Sequence, residues 1–130
     1  MSAIRPNAEQ FGQFAAVAAE KGGPVVMLNL LKFKPDGGAR SHGEYGAAAR
    51  GLVAKQGGRV LYMGRCDQVL IGDAAREDWD AIAVVEYPSR QAFIDMVSRP
   101  DYQQAHEHRE AGLERTVLIA TTPAAAPPKE

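Results

Sequence analysis

The chain has 130 residues, 45% of them apolar and 24% charged, with 15 basic and 16 acidic side chains and a formal charge of −1. A chain of this size buries roughly two thirds of its unfolded surface, so one domain over residues 1–130 is expected and disordered or fibrous classes are excluded. Basic and acidic residues are interleaved along the chain, which excludes a nucleic-acid footprint, and no segment approaches the roughly 18 apolar residues of a membrane span.

Asn7 and Gln10 have capping-box spacing ahead of an apolar stripe, Phe11, Phe14, Ala15 and Ala18, and Gly22–Gly23 supply a left-handed stop. The spacing predicts a helix over 7–21. Val25–Phe33 reads as a strand. After a loop with Pro35, Gly37 and Gly38, Ser41 and Glu44 form a second capping box, for a helix from His42 to about Gln56 that ends on Gly57–Gly58. Arg59 to Gly72 reads as a long strand region that Gly64 bends or bulges. Trp79–Tyr87 is the next strand; Pro88 ends it, and Ser89 caps a helix with Phe93, Met96 and Val97 on one face. Pro100 opens a further helix, Thr116 begins a last strand, and residues 123–130 read as a flexible Pro/Ala tail.

Without the first helix, the order over residues 25–122 is β-α-β-β-α-α-β. That order describes an α+β, ferredoxin-like fold with an antiparallel sheet and helices on one face. The strands VVMLNLL, AIAVVE and VLIA are nearly apolar on both faces, so the helix-free face needs a cover. The simplest cover is the same face of a second copy, which predicts a homodimer.

The single cysteine, Cys66, rules out an internal disulfide, and the N-terminal stretch MSAIRPNAEQF has no apolar signal core; both point to the cytoplasm. Cys66 is either a thiol activated by Arg65 or a small structural hydrophobe. Both glycine pairs run helix, glycine, strand, the reverse of a phosphate cradle, so no nucleotide site is expected.

Reactive side chains are densest in PDYQQAHEHREAGLERT, Pro100–Thr116. Two residues apart on a helix, His106 and His108 differ by about 200° in direction and cannot chelate one ion, and no metal or cofactor site is expected. Tyr102, His106, Arg109 and Leu113 instead share one stripe that ends on an apolar residue and therefore faces the protein, while Glu107 and His108 turn away. Two readings follow. In one, Arg109 pairs with Glu86 in a self-satisfied polar network flanked by Tyr102 and His106. In the other, Arg109 holds a carboxylate or enolate oxygen, His106, with a reference pKa of about 6.5, moves a proton, and Asn29, Tyr45, Glu86 and Tyr102 are the substrate-binding candidates. Asn29, an amide within an apolar strand, joins either arrangement as a substrate-orienting group or a backbone partner. Tyr45 is placed at the pocket rim, Lys32 at a solvated strand end and Trp79 in packing. Haem held by His106 or His108 is a third, lesser reading.

The strings VVMLNLLKFKP, GGRVLYMG, EYPSRQAF and HREAGL, together with the element order, resemble the domain of unknown function 1330 family from about Val25 to Thr122. The resemblance implies a dimeric α/β barrel, in which two ferredoxin-like units pair through their sheets and each keeps a small cavity between sheet and helices. Relatives in that superfamily include cofactor-independent monooxygenases, muconolactone isomerase-like enzymes and haem-binding proteins, so the fold does not select a chemistry. The expectation is a homodimer binding a small organic acid or oxygenated metabolite, as an isomerase or cofactor-free monooxygenase, or else a non-catalytic binding or structural dimer.

Overall fold

The computed structural model describes residues 4–124; residues 125–130 of the expected tail lie outside them. The elements run α1 (Ala8–Glu20), β1 (Val25–Phe33), α2 (Gly38–Lys55), β2 (Arg59–Arg65), β3 (Ala81–Tyr87), α3 (Arg90–Val97), α4 (Pro100–Gly112) and β4 (Leu113–Thr121). The strands form one antiparallel sheet in the order β2-β3-β1-β4, the ferredoxin-like topology. Among the described residues no helix is long and apolar enough to cross a membrane.

Several boundaries follow the expected signals. The Asn7 carboxamide accepts from the Gln10 amide at 2.7 Å, and the Gln10 side chain returns the bond to the Asn7 amide. Ser89 Oγ accepts from the Ala92 amide at 3.0 Å to open α3, and Pro100 sits in the first turn of α4. Past α2, Gly57 takes φ +79° and the Gly58 amide reaches back to the Val53 carbonyl at 2.9 Å, closing the helix.

Other boundaries differ, each for a local reason. Ser41 is not a cap: α2 begins at Gly38, after left-handed Gly37, and the Ser41 amide already donates to the Gly37 carbonyl. Glycine permits that early start, because a Cβ on Gly38 would lie 2.6 Å from the Gly112 carbonyl oxygen and one on Gly112 would lie 2.6 Å from that of Gly38. The first turn of α2 thus rests on the last turn of α4, backbone to backbone. α1 stops at Lys21 in extended conformation, and the left-handed residue is Gly23, which turns the chain into β1. β2 ends at Arg65, and its bulge falls between Val60 and Tyr62, since Gly64 keeps regular register with Ile82. β3 begins at Ala81, leaving Trp79 in the preceding turn. Leu113 starts β4 instead of ending the α4 stripe, although it stays buried.

Strand parity assigns the two sheet faces. Val25, Met27, Asn29 and Leu31 of β1 pair with Tyr87, Val85, Ala83 and Ala81 of β3 and turn toward the helices. Val26, Leu28 and Leu30 turn the other way, with Ile82, Val84 and Glu86 opposite and Val117 and Ile119 of β4 alongside. The helix-side core is divided. One cluster gathers Val25, Met27, Leu52, Val53, Tyr87 and Met96; a smaller one gathers Leu31, Ala81 and Leu113 with Ile4 and Phe33. Asn29 lies between them on β1.

Candidate functional site

The gap between the two clusters opens into a cavity of about 1290 Å³, bounded by the helix-facing side of the sheet and by α1, α2, α3 and α4. Ligand pockets commonly enclose roughly 300–1000 Å³, so there is room for a substantial molecule. Asn29, Tyr45, Tyr102, His106 and Arg109, all expected from the sequence, line it together.

α4 supplies three of these through its helical repeat. Tyr102, His106 and Arg109 stand three and four residues apart and are buried, whereas Glu107 and His108 are exposed. His108 Nδ1 lies 3.1 Å from Glu44, outside the cavity, so the two histidines do part as helical geometry requires. Among the described residues no three His, Cys, Asp or Glu side chains are grouped as metal ligands.

Arg109 is 6% exposed. Its Nη1 donates to the Ile4 carbonyl at 2.8 Å, and its guanidinium carbon lies 6.0 Å from the Tyr45 ring centroid. The expected partner is absent: Glu86 projects from the opposite sheet face and pairs with Arg59 Nε at 3.0 Å. The reason is parity. Tyr87 and Val85 turn inward, so Glu86 between them turns outward. Among the described residues, no carboxylate lies within ion-pair distance of Arg109.

His106 is equally buried. Its Nε2 is 3.0 Å from Glu110 Oε1, an ion-pair distance, and neither buried ring nitrogen makes a hydrogen bond. Glu110 is engaged by Arg5. Burial lowers the His106 pKa to about 4, with the Arg109 and Arg5 charges acting in the same direction and Glu110 opposing them. The imidazole is therefore neutral at physiological pH.

A second histidine reaches the cavity that sequence reasoning passed over. His42 of α2 is buried, with ring centroids 5.3 Å from Phe33 and 5.4 Å from Tyr45. Its pKa is also lowered to about 4, by burial and then by Arg109. The signal was present: His42, Tyr45, Ala49 and Leu52 repeat every three to four residues, but a cap at Ser41 would have placed His42 at an exposed helix start.

Tyr45 is half-buried and lines the cavity. Its hydroxyl is 2.9 Å from that of Tyr102, and burial with the Tyr102 neighbour pushes its pKa up. Asn29 donates its amide to the Ala83 carbonyl at 3.2 Å, which fixes the side chain across the sheet and leaves it facing the cavity. The remaining candidates lie elsewhere. Lys32 pairs with Asp78 and Asp80 at 3.4 and 3.5 Å, and Trp79 stacks under Arg115 at 4.1 Å. Cys66 is not activated: Arg65 turns to Asp67, while burial and nearby carboxylates push the thiol pKa up.

α1 and its lead-in close one flank. Phe14 packs edge-on against Phe93 at 5.5 Å, Lys21 reaches Thr122 at the end of β4, and Ile4 and Arg5 tie to Arg109 and Glu110. Together these contacts make α1 a cavity wall.

Residues 37–123 match the family described as Domain of unknown function (DUF1330). A Rhodopseudomonas palustris protein of unknown function is 34% identical, with a TM-score of 0.84 over 97% of this chain and 100% of that one. A Caulobacter crescentus protein named for antibiotic biosynthesis monooxygenases is 15% identical, with a TM-score of 0.62 over 80% of this chain and 92% of its own. A Bacteroides fragilis protein described as dimeric, with a ferredoxin-like fold, is 14% identical, with a TM-score of 0.54 over 76% and 95%. The last two likenesses show the fold alone. Among curated proteins none matches. The matched span covers most of the chain, including both helices that carry the buried histidines and Arg109, and the chain belongs to the DUF1330 family.

Proposed function

We propose that the protein binds a small organic acid in this cavity, with Arg109 holding the anionic group and His106 moving a proton on the bound molecule. One observation carries the reading: a buried guanidinium with no carboxylate partner among the described residues. A buried charge is costly unless compensated, and an anionic ligand compensates it where the fold does not. A neutral imidazole beside that cation is in the protonation state a general base requires. Asn29, Tyr45 and Tyr102 offer amide and hydroxyl groups to orient a ligand oxygen. Reaction classes that fit are proton transfer within the acid, as in an isomerase, and attack of the resulting carbanion on dioxygen, as in a cofactor-free monooxygenase.

The test is thermal denaturation with a set of small carboxylates and phenols, on the unmutated protein and on Arg109→Ala. A carboxylate that raises Tm only in the unmutated protein supports the reading; equal shifts in both proteins, or none with any carboxylate, overturn it. A non-catalytic binding protein is the second reading, favoured by the Tyr45–Tyr102 hydroxyl pair, which is satisfied without a ligand. Exchange of a ligand proton for deuterium, lost in His106→Asn, separates the two.

The same reading includes a homodimer in the cytoplasm, paired through the helix-free sheet face. Supporting it are the apolar side chains Val26, Leu28, Leu30, Ile82, Val84 and Ile119 on that face, the dimeric neighbour of the same fold, and a lone, unactivated thiol.

A further inference from the structure

The cavity is chemically polarised along β1. Near Asn29 and the Leu31 cluster its walls carry His42, His106 and Arg109. Toward Val25 they become Phe11 and Phe14 of α1, Phe93 and Val97 of α3, and Val53 of α2, packed about Met27 and Val85. Phe14 and Phe93 meet edge to face, and Tyr87 meets Phe93 in the same way at 5.2 Å, so this end is an aromatic-walled chamber. Arg5 ahead of α1, Gln10 of α1 and Arg50 of α2 stand at exposed positions around the cavity, and the Arg90 guanidinium lies 5.9 Å from the Phe14 ring centroid.

A pocket built only for a small polar acid has no use for the second half of this volume. The chamber lies beneath α1, an element that precedes the family-matched residues 37–123. Apolar chain placed there leaves water for a lining of matching character, and each buried methylene adds to affinity.

Building on the organic-acid reading, we infer that the occupant is a carboxylate carrying an apolar chain or ring, its head group at Arg109 and its tail in the Phe11–Phe14–Phe93 chamber beneath α1. Short acids fill the polar end and leave the chamber empty.

The experiment is isothermal titration of butanoate, hexanoate and octanoate, with octan-1-ol as control, against the unmutated protein, Phe14→Asn and Phe11→Asn. Affinity should rise about four-fold per added methylene, octanoate should bind at least ten-fold more tightly than octan-1-ol, and either Phe variant should weaken octanoate while leaving butanoate unchanged. The butanoate titration also reports that a variant is folded. Equal affinity for all three monocarboxylates overturns the tail assignment and leaves the Arg109 reading standing. Octan-1-ol binding as tightly as octanoate overturns the head-group assignment, and absence of binding by every acid overturns both.

Discussion

Gly38 and Gly112 meet backbone to backbone, the carbonyl of each occupying the space a side chain on the other would need. That contact sets how closely α2 and α4 approach and so brings His42 and Arg109 to one cavity. Gly112→Ala would force its Cβ to 2.6 Å from the Gly38 carbonyl and 2.8 Å from the His42 amide nitrogen. Urea denaturation should show a loss of about 1–3 kcal/mol, and an unchanged midpoint would mean the helices separate without penalty.

Stability should fall in mild acid. His42 and His106 titrate at about 4 in the folded chain against an ordinary value of 6.5, so the unfolded chain takes up protons first as pH drops. Their contribution is complete above about 6.5 and is lost between 6.5 and 4, at up to about 1.4 kcal/mol per pH unit for each ring. Denaturant midpoints measured from pH 7 to pH 4 check this, and replacing both histidines with Asn should flatten the profile.

Arg109 connects the two titrations, because its charge helps lower both. In Arg109→Met both histidine pKa values should move upward, read by proton NMR of the imidazole signals. The unliganded protein should also be at least as stable as the unmutated one, with a gain of about 1 kcal/mol where the apolar side chain packs well. A large loss would show that the bond to the Ile4 carbonyl outweighs the buried charge.

Light scattering should return twice the protomer mass. A charge on the helix-free face should then separate the copies: Leu28→Glu at its centre, or Ile119→Lys at a position already 44% exposed in the protomer. The second variant has little to disturb within the protomer, so a dimer that survives it, with folding intact, overturns pairing through this face.

The topology was legible because strand and helix periods differ, and the α4 stripe because Tyr102, His106 and Arg109 keep helical spacing. Glu86 was misplaced for want of one parity step: fixing Tyr87 as a core residue turns its neighbour outward. His42 was hidden by a plausible cap at Ser41, which glycine contact with another helix overrode. The break between two core clusters is a tertiary fact, since Leu31 and Leu113 are brought together only by the fold.

The bonds that seal the cavity flank, Arg5 to Glu110 and Arg109 to Ile4, join residues 105 positions apart. During synthesis the N-terminal segment emerges 105 residues ahead of its docking surface on α4, so the wall must wait for that stretch of chain. Sealing therefore follows the synthesis of α4. If an acid binds between α1 and α4 as proposed, it should lengthen the lifetime of that closure, so resistance of the N-terminal segment to proteolysis should rise with ligand concentration.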